Sequence, residues 1–84
     1  MIHVLKTKER YFQEVVDGNK RFEIRNNDRD FQKGDIVKLR EVDELGIFTD
    51  RKDWIGVITF VTAFEQKDGM VVFGIKEYGS LADG

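Results

Sequence analysis

Gly18, Lys20, Glu23 and Arg25 fall within eight residues of an 84-residue chain. A carboxylate beside a guanidinium stays ionised and is held by a charge-assisted bond, so Glu23 and Arg25 can orient a rigid polar site. Arg suits phosphate or a base edge through its planar fork. Lys acts as a point charge or, when desolvated, as a base. On an extended strand, Glu23 and Arg25 share one face about 7 Å apart at Cα. The bland alternative is a solvated strand face carrying a surface ion pair worth about 0–1 kcal/mol.

Other chemistry lacks parts. There is no Cys, and His3 and Ser80 are the single His and the single Ser. A nucleophile–His–acid triad and a zinc site are both excluded on that inventory. Asn26, Asp28 and Asp30 alternate as in a calcium loop, but no register supplies the Gly at position six and the Glu at position twelve. No Gly-rich phosphate loop occurs. No cofactor and no metal are expected. His3 is expected to satisfy a nearby carboxylate or carbonyl at the first strand. Asn27, Asp28 and Arg29 read first as turn residues bonding backbone groups, and second as ligand contacts on a cleft rim.

The elements that must position these residues form one domain, residues 1–84. With 40% hydrophobic and 36% charged residues and seven Phe, the chain is ordered and charge-rich rather than disordered. The opening residues lack the order of a signal peptide, and no apolar run reaches membrane-spanning length, so a cytoplasmic location without membrane contact is expected. The net charge is −2, yet residues 1–40 carry ten Lys/Arg against seven Asp/Glu. That imbalance leaves room for a local basic patch, with Arg21, Arg29 and Lys38 as extensions, or is ordinary scatter of surface charge.

The pattern predicts a short strand over residues 3–5. Thr7 then caps a helix over residues 8–17, with Tyr11, Phe12, Val15 and Val16 on its apolar stripe. Gly18 ends the helix in the left-handed conformation. Residues 20–25 alternate, predicting a half-buried strand with Phe22 and Ile24 inward and Arg21, Glu23 and Arg25 on a charged outer face. Residues 26–34 form a polar loop, with Phe31 plugging back onto the core. A strand follows over residues 36–42, with Val37 and Leu39 on one face. Residues 43–53 are least readable, with Ile47 and Phe48 as a short edge strand. Residues 54–64 form a strand partly covered on both faces. Asp68-Gly69 turns the chain into a partner strand over residues 70–78, its apolar face being Val71, Phe73 and Ile75. Residues 79–84 are expected to fray. The fold class is mainly β (α+β): a small mixed or antiparallel β-barrel of about five strands with one helix packed over an opening.

The run from Gly18 through Lys20 and Glu23 to Arg25 matches the G-x-K-x-x-E-x-R signature of the ASCH domain, a member of the PUA-like superfamily. The stretch from Phe22 through Asp28, Arg29 and Phe31 to Gly34-Asp35 resembles a small bacterial and phage subfamily, DUF3850. His3, Leu5, Lys6, the Tyr11-Phe12 pair and Leu39-Arg40-Glu41 look like that subfamily too. The resemblance implies a PUA-like barrel and a cleft between helix and barrel that binds RNA or a nucleotide-like ligand. Lys20, Glu23 and Arg25 would line that cleft and Gly18 would shape its lip. Arg21, Asn27, Asp28 and Arg29 complete the expected ligand-binding set. Tyr11, Trp54 or Tyr78 would stack on a base wherever one is exposed.

Two other readings compete. A branch of ASCH-like families hydrolyses acetylated cytidine with a Lys, a Thr three residues later and a distant Glu. Here Glu23 stands at the Thr position, so a small amidohydrolase acting on a modified nucleoside would use Lys20 and Glu23, with Glu77 as the candidate distant acid. The third reading is a protein-interaction accessory factor docking through the acidic second half. The residues favour a binding module over an enzyme.

Overall fold

The computed structural model describes residues 1–81. Its elements run β1 (Ile2–Lys8), α1 (Glu9–Val16), β2 (Phe22–Asn26), β3 (Ile36–Val42), β4 (Trp54–Thr62), β5 (Met70–Glu77) and α2 (Tyr78–Leu81). The five strands form one mixed sheet in the order β1-β3-β4-β5-β2, curled into a half-barrel. β1 and β3 pair in parallel; the other neighbours pair antiparallel. The mainly β fold of five strands and a short helix is the one the sequence predicts.

The core follows from alternation. Val37 and Leu39 on β3, and Val71, Phe73 and Ile75 on β5, face inward with Leu5, Phe12, Val15 and Ile58. Phe31 leaves the polar loop to join them, as expected. Its ring centre lies 4.8 Å from that of Phe73 and 4.7 Å from that of His3. His3 Nε2 lies 2.8 Å from Asp35 Oδ2, so the histidine meets a carboxylate, again as expected.

Four expectations need correction. First, β1 runs to Lys8, longer than the predicted strand, because its pairing with β3 continues through Thr7↔Glu41 and Lys8↔Val42. Thr7 is therefore an inward strand residue and not a helix cap. The cap position belongs to Lys8, which makes no side-chain cap bond. Second, the helical stripe is narrower than predicted: Phe12 and Val15 are buried, but Tyr11 and Val16 are exposed. Third, the faces of β2 are reversed. Phe22 and Ile24 are exposed, and Glu23 is buried at 3% exposure. Alternation is preserved, but the charged face looks inward. Fourth, Ile47 and Phe48 make no strand; one bridge joins Phe48 to Val42.

β4 stops at Thr62, with a bulge at Thr59 and with Phe60 and Phe64 exposed. Tyr78–Leu81 form a helical turn, where residue 78 was expected to end the strand and residues 79–84 to fray; residues 82–84 of that stretch lie outside the described residues. Gly18 behaves as predicted, with φ +79°. Its N–H donates to Val15 O at 3.0 Å, and the Asn19 N–H donates to Glu14 O at 2.9 Å. This pair of bonds closes the helix and turns the chain toward Lys20.

Candidate functional site

β1 and β2 are the two edges of the sheet, and between them lies a cleft of about 470 Å³. Lys6, Thr7 and Lys8 of β1 line one wall. Lys20 and residues Phe22 to Arg25 line the other, and Tyr11 of α1 stands at the end.

Glu23 organises the cleft. The Lys20 ammonium donates to its Oε2. Arg25 donates to its Oε1 from Nε at 3.0 Å and from Nη2 at 2.7 Å. A buried carboxylate with a cation on each oxygen is the arrangement that makes its burial tolerable. Lys20 Nζ also donates to Phe22 O at 2.7 Å. It sits 5.0 Å from the Phe22 ring centre and 5.9 Å from that of Tyr11, within cation–π range. Arg25 Nη2 reaches across the gap to Lys6 O at 3.0 Å and to Thr7 Oγ1 at 3.4 Å. None of these bonds uses Arg25 Nη1.

The formal charges lining the cleft are Lys6, Lys8, Lys20 and Arg25 against Glu23 alone. The pocket is thus locally cationic in a chain of net charge −2. Its chemistry suits an anion or the acceptor edge of a planar group, with apolar and aromatic walls from Tyr11, Phe22 and Ile24.

The predicted site residues divide into three places. Lys20, Glu23 and Arg25 meet in the cleft. Gly18 and Arg21 face a neighbouring groove that Lys20 also lines, and Arg21 Nε donates to Gly18 O at 2.9 Å. Asp28 and Arg29 line a small hollow beyond Arg25. Asn27 is a turn residue: its Oδ1 accepts the Phe31 N–H at 3.0 Å. Arg29 Nη1 donates to Val4 O at 2.7 Å, a second side-chain bridge to β1, from the loop that follows β2. Tyr11 and Tyr78 are exposed and Trp54 is half-buried. Glu77 is exposed and lines the neighbouring groove with Lys20.

Sequence reasoning missed Lys6, Thr7 and Lys8. Their signal was the alternation of β1 carried past Leu5, which the apparent helix cap obscured. It also missed a buried carboxylate outside the cleft, Glu41. Thr49 Oγ1 donates to Glu41 Oε1 at 2.7 Å and Arg51 Nη1 to Oε2 at 3.2 Å. Arg51 Nη1 also donates to Gln13 Oε1 at 2.9 Å, which ties the unreadable segment to α1.

Two carboxyls with displaced acidity lie away from the cleft. Burial pushes Asp35 up, but the bond with His3, the Gln32 N–H and the Met1 ammonium outweigh it and hold the carboxyl below its ordinary value. The Arg40 guanidinium bonds both Asp53 oxygens, at 3.1 and 3.0 Å, and lowers that group. No cluster of three or more His, Cys, Asp or Glu able to hold a metal occurs among the described residues. No helix among them is long and apolar enough to cross a membrane.

Fold and site together define a small mixed β half-barrel with a cationic cleft between its edge strands. The chain belongs to the family described as "Domain of unknown function (DUF3850)", whose family model matches residues 2–75. It is also similar to an "Uncharacterized 12.9 kDa protein in GpA 3'region" of Escherichia phage P2. The two are 43% identical over 51 residues, covering 61% of this chain and 46% of that protein. The match therefore spans less than half of the relative's length.

Proposed function

We propose that this protein is a cytoplasmic binding module for RNA or a nucleotide-like ligand, seated in the cleft between β1 and β2. The observation that carries the reading is the clamp of Lys20 and Arg25 on buried Glu23, which fixes two cations side by side at a pocket walled by Tyr11 and Phe22. Fixed cations take phosphate at little ordering cost, and the aromatic walls accept a base. The likeness of the stretch from Gly18 to Arg25 to the ASCH signature of PUA-like domains supports the same ligand class.

The hydrolase reading draws less support. Both Glu23 oxygens are occupied by cations, which leaves it poorly placed to take a proton from water. The accessory-factor reading rests on a different observation. Register places exposed Phe22 and Phe60 on either side of Gly74, an apolar strip on the outer face of the sheet.

An amide-resolved titration at low salt with uridine monophosphate and short RNA tests the proposal. Shifts are expected at residues 6–11 and 20–25, with affinity reduced about tenfold or more in Lys20→Ala. A cleft silent to every nucleotide and RNA would overturn it.

A further inference from the structure

Lys20 stands between two depressions. On one side is the β1–β2 cleft; on the other is a groove of about 570 Å³ that also contains Gly18, Arg21, Trp54, Lys76 and Glu77. Arg25 is shared in the same way at the far end, between the cleft and a hollow of about 160 Å³ beside Asp28 and Arg29. The three depressions run in series with a cation at each boundary.

The groove beyond Lys20 has its own aromatic wall. A Cβ at Gly56 would fall 2.4 Å from two Trp54 ring atoms, so the absence of a side chain there lets the indole pack onto the β4 backbone. Trp54 remains half-buried and lines the groove. Lys20, Arg21 and Lys76 face Glu77 as the one carboxylate among its lining residues, so this groove too favours an anion. The two larger depressions are each of a size to hold one small ligand, and Lys20 is the charged side chain that lines both.

We propose that the ligand is a single strand of nucleic acid at least two nucleotides long, one nucleotide lodged in the β1–β2 cleft and its neighbour in the Trp54 groove, with the linking phosphate on Lys20. This rests on the reading of the cleft given above. Lys20 is suited to the crossing as a point charge that tolerates phosphates at several angles. Tyr11 and Phe22 on one side and Trp54 on the other offer stacking surfaces without selecting a base.

Trp54 is the single Trp of the chain, so its fluorescence reports on the second groove alone. Uridine monophosphate, oligouridylates of two to six residues and matching oligothymidylates would be titrated at two salt concentrations. Cleft shifts by NMR and Trp54 emission would be followed in parallel. The monophosphate is expected to move the cleft only. Oligomers of two or more are expected to move both, to bind about tenfold tighter, and to steepen the salt dependence by about 0.7 log units per added phosphate contact. Lys76→Glu is expected to lower the ratio of oligomer to monophosphate affinity several-fold. Equal affinities with Trp54 unmoved would overturn the track while leaving the single-nucleotide cleft standing. Trp54 responding while the cleft is silent would also overturn the track. A cleft silent to everything would remove the track and the proposed function together. The uridylate and thymidylate arms decide whether the strand is RNA or DNA.

Discussion

Glu23 shows how one buried charge can specify a site. Its carboxylate holds Lys20 on one oxygen and Arg25 on the other, so replacing it leaves two cations facing each other without a counter-charge. Glu23→Gln keeps the shape and removes the charge. Its unfolding free energy is expected to drop by about 2–3 kcal/mol, the scale of losing hydrogen bonds to a charged group, measured by urea denaturation at neutral pH. A loss under about 0.5 kcal/mol would mean that solvent already satisfies the two cations. Asp35, bonded to His3 and Met1 outside the cleft, offers a pH test. Its folded acidity lies below the ordinary value of 3.8, so its contribution is complete above that value and is lost as pH falls through the lower folded value. The urea midpoint of the wild type should therefore fall on acidification below about pH 4. Asp35→Asn should be less stable at neutral pH and should show a shallower acid limb. Identical acid limbs would assign the acid response to other carboxyls, Asp53 first.

At the scale of elements, what was legible and what was not separates by range. β3 and β5 read correctly because their inward residues, Val37, Leu39, Val71, Phe73 and Ile75, are apolar and their period is two. Gly18 read correctly because its positive φ is a local demand of the helix end. β2 read with the right period and the wrong side. Alternation fixes which residues share a face, but only tertiary partners decide which face is inner. Here the partner that decides is β1, whose Lys6 and Thr7 receive Arg25 from across the gap. Thr7 misled because a threonine before an apolar stripe looks like a cap, while parallel pairing to β3 extends the strand past it. The segment between β3 and β4 was unreadable for a related reason. Its anchors, Thr49 and Arg51 on Glu41 and Arg51 on Gln13, are polar contacts with no periodicity to betray them. The key triad was legible as residues, and its burial was not.

At the scale of the whole molecule, the half-barrel leaves β1 and β2 unpaired with each other, and exposed edges are a liability. Two arginines answer it by donating to β1 carbonyls: Arg25 to Lys6 O and Arg29 to Val4 O. The bridges hold the edges near each other while keeping the gap open as a cleft, which continuous backbone pairing would have closed. Arg29 is the better probe because it takes no part in the Glu23 cluster. Its bond to Val4 O should hold the loop after β2, where the Asn27 N–H donates to Gly69 O and the Phe31 N–H to Asn27 Oδ1. In Arg29→Ala, hydrogen exchange at the Asn27 and Phe31 amides is expected to quicken about tenfold, the local opening cost of one charge-assisted bond. Exchange in β3, β4 and β5 should stay unchanged, because their ladders and the core under them do not involve Arg29. Equal acceleration across those strands would show that the bridge supports global stability. No acceleration anywhere would show that the sheet and Phe31 hold the loop without it.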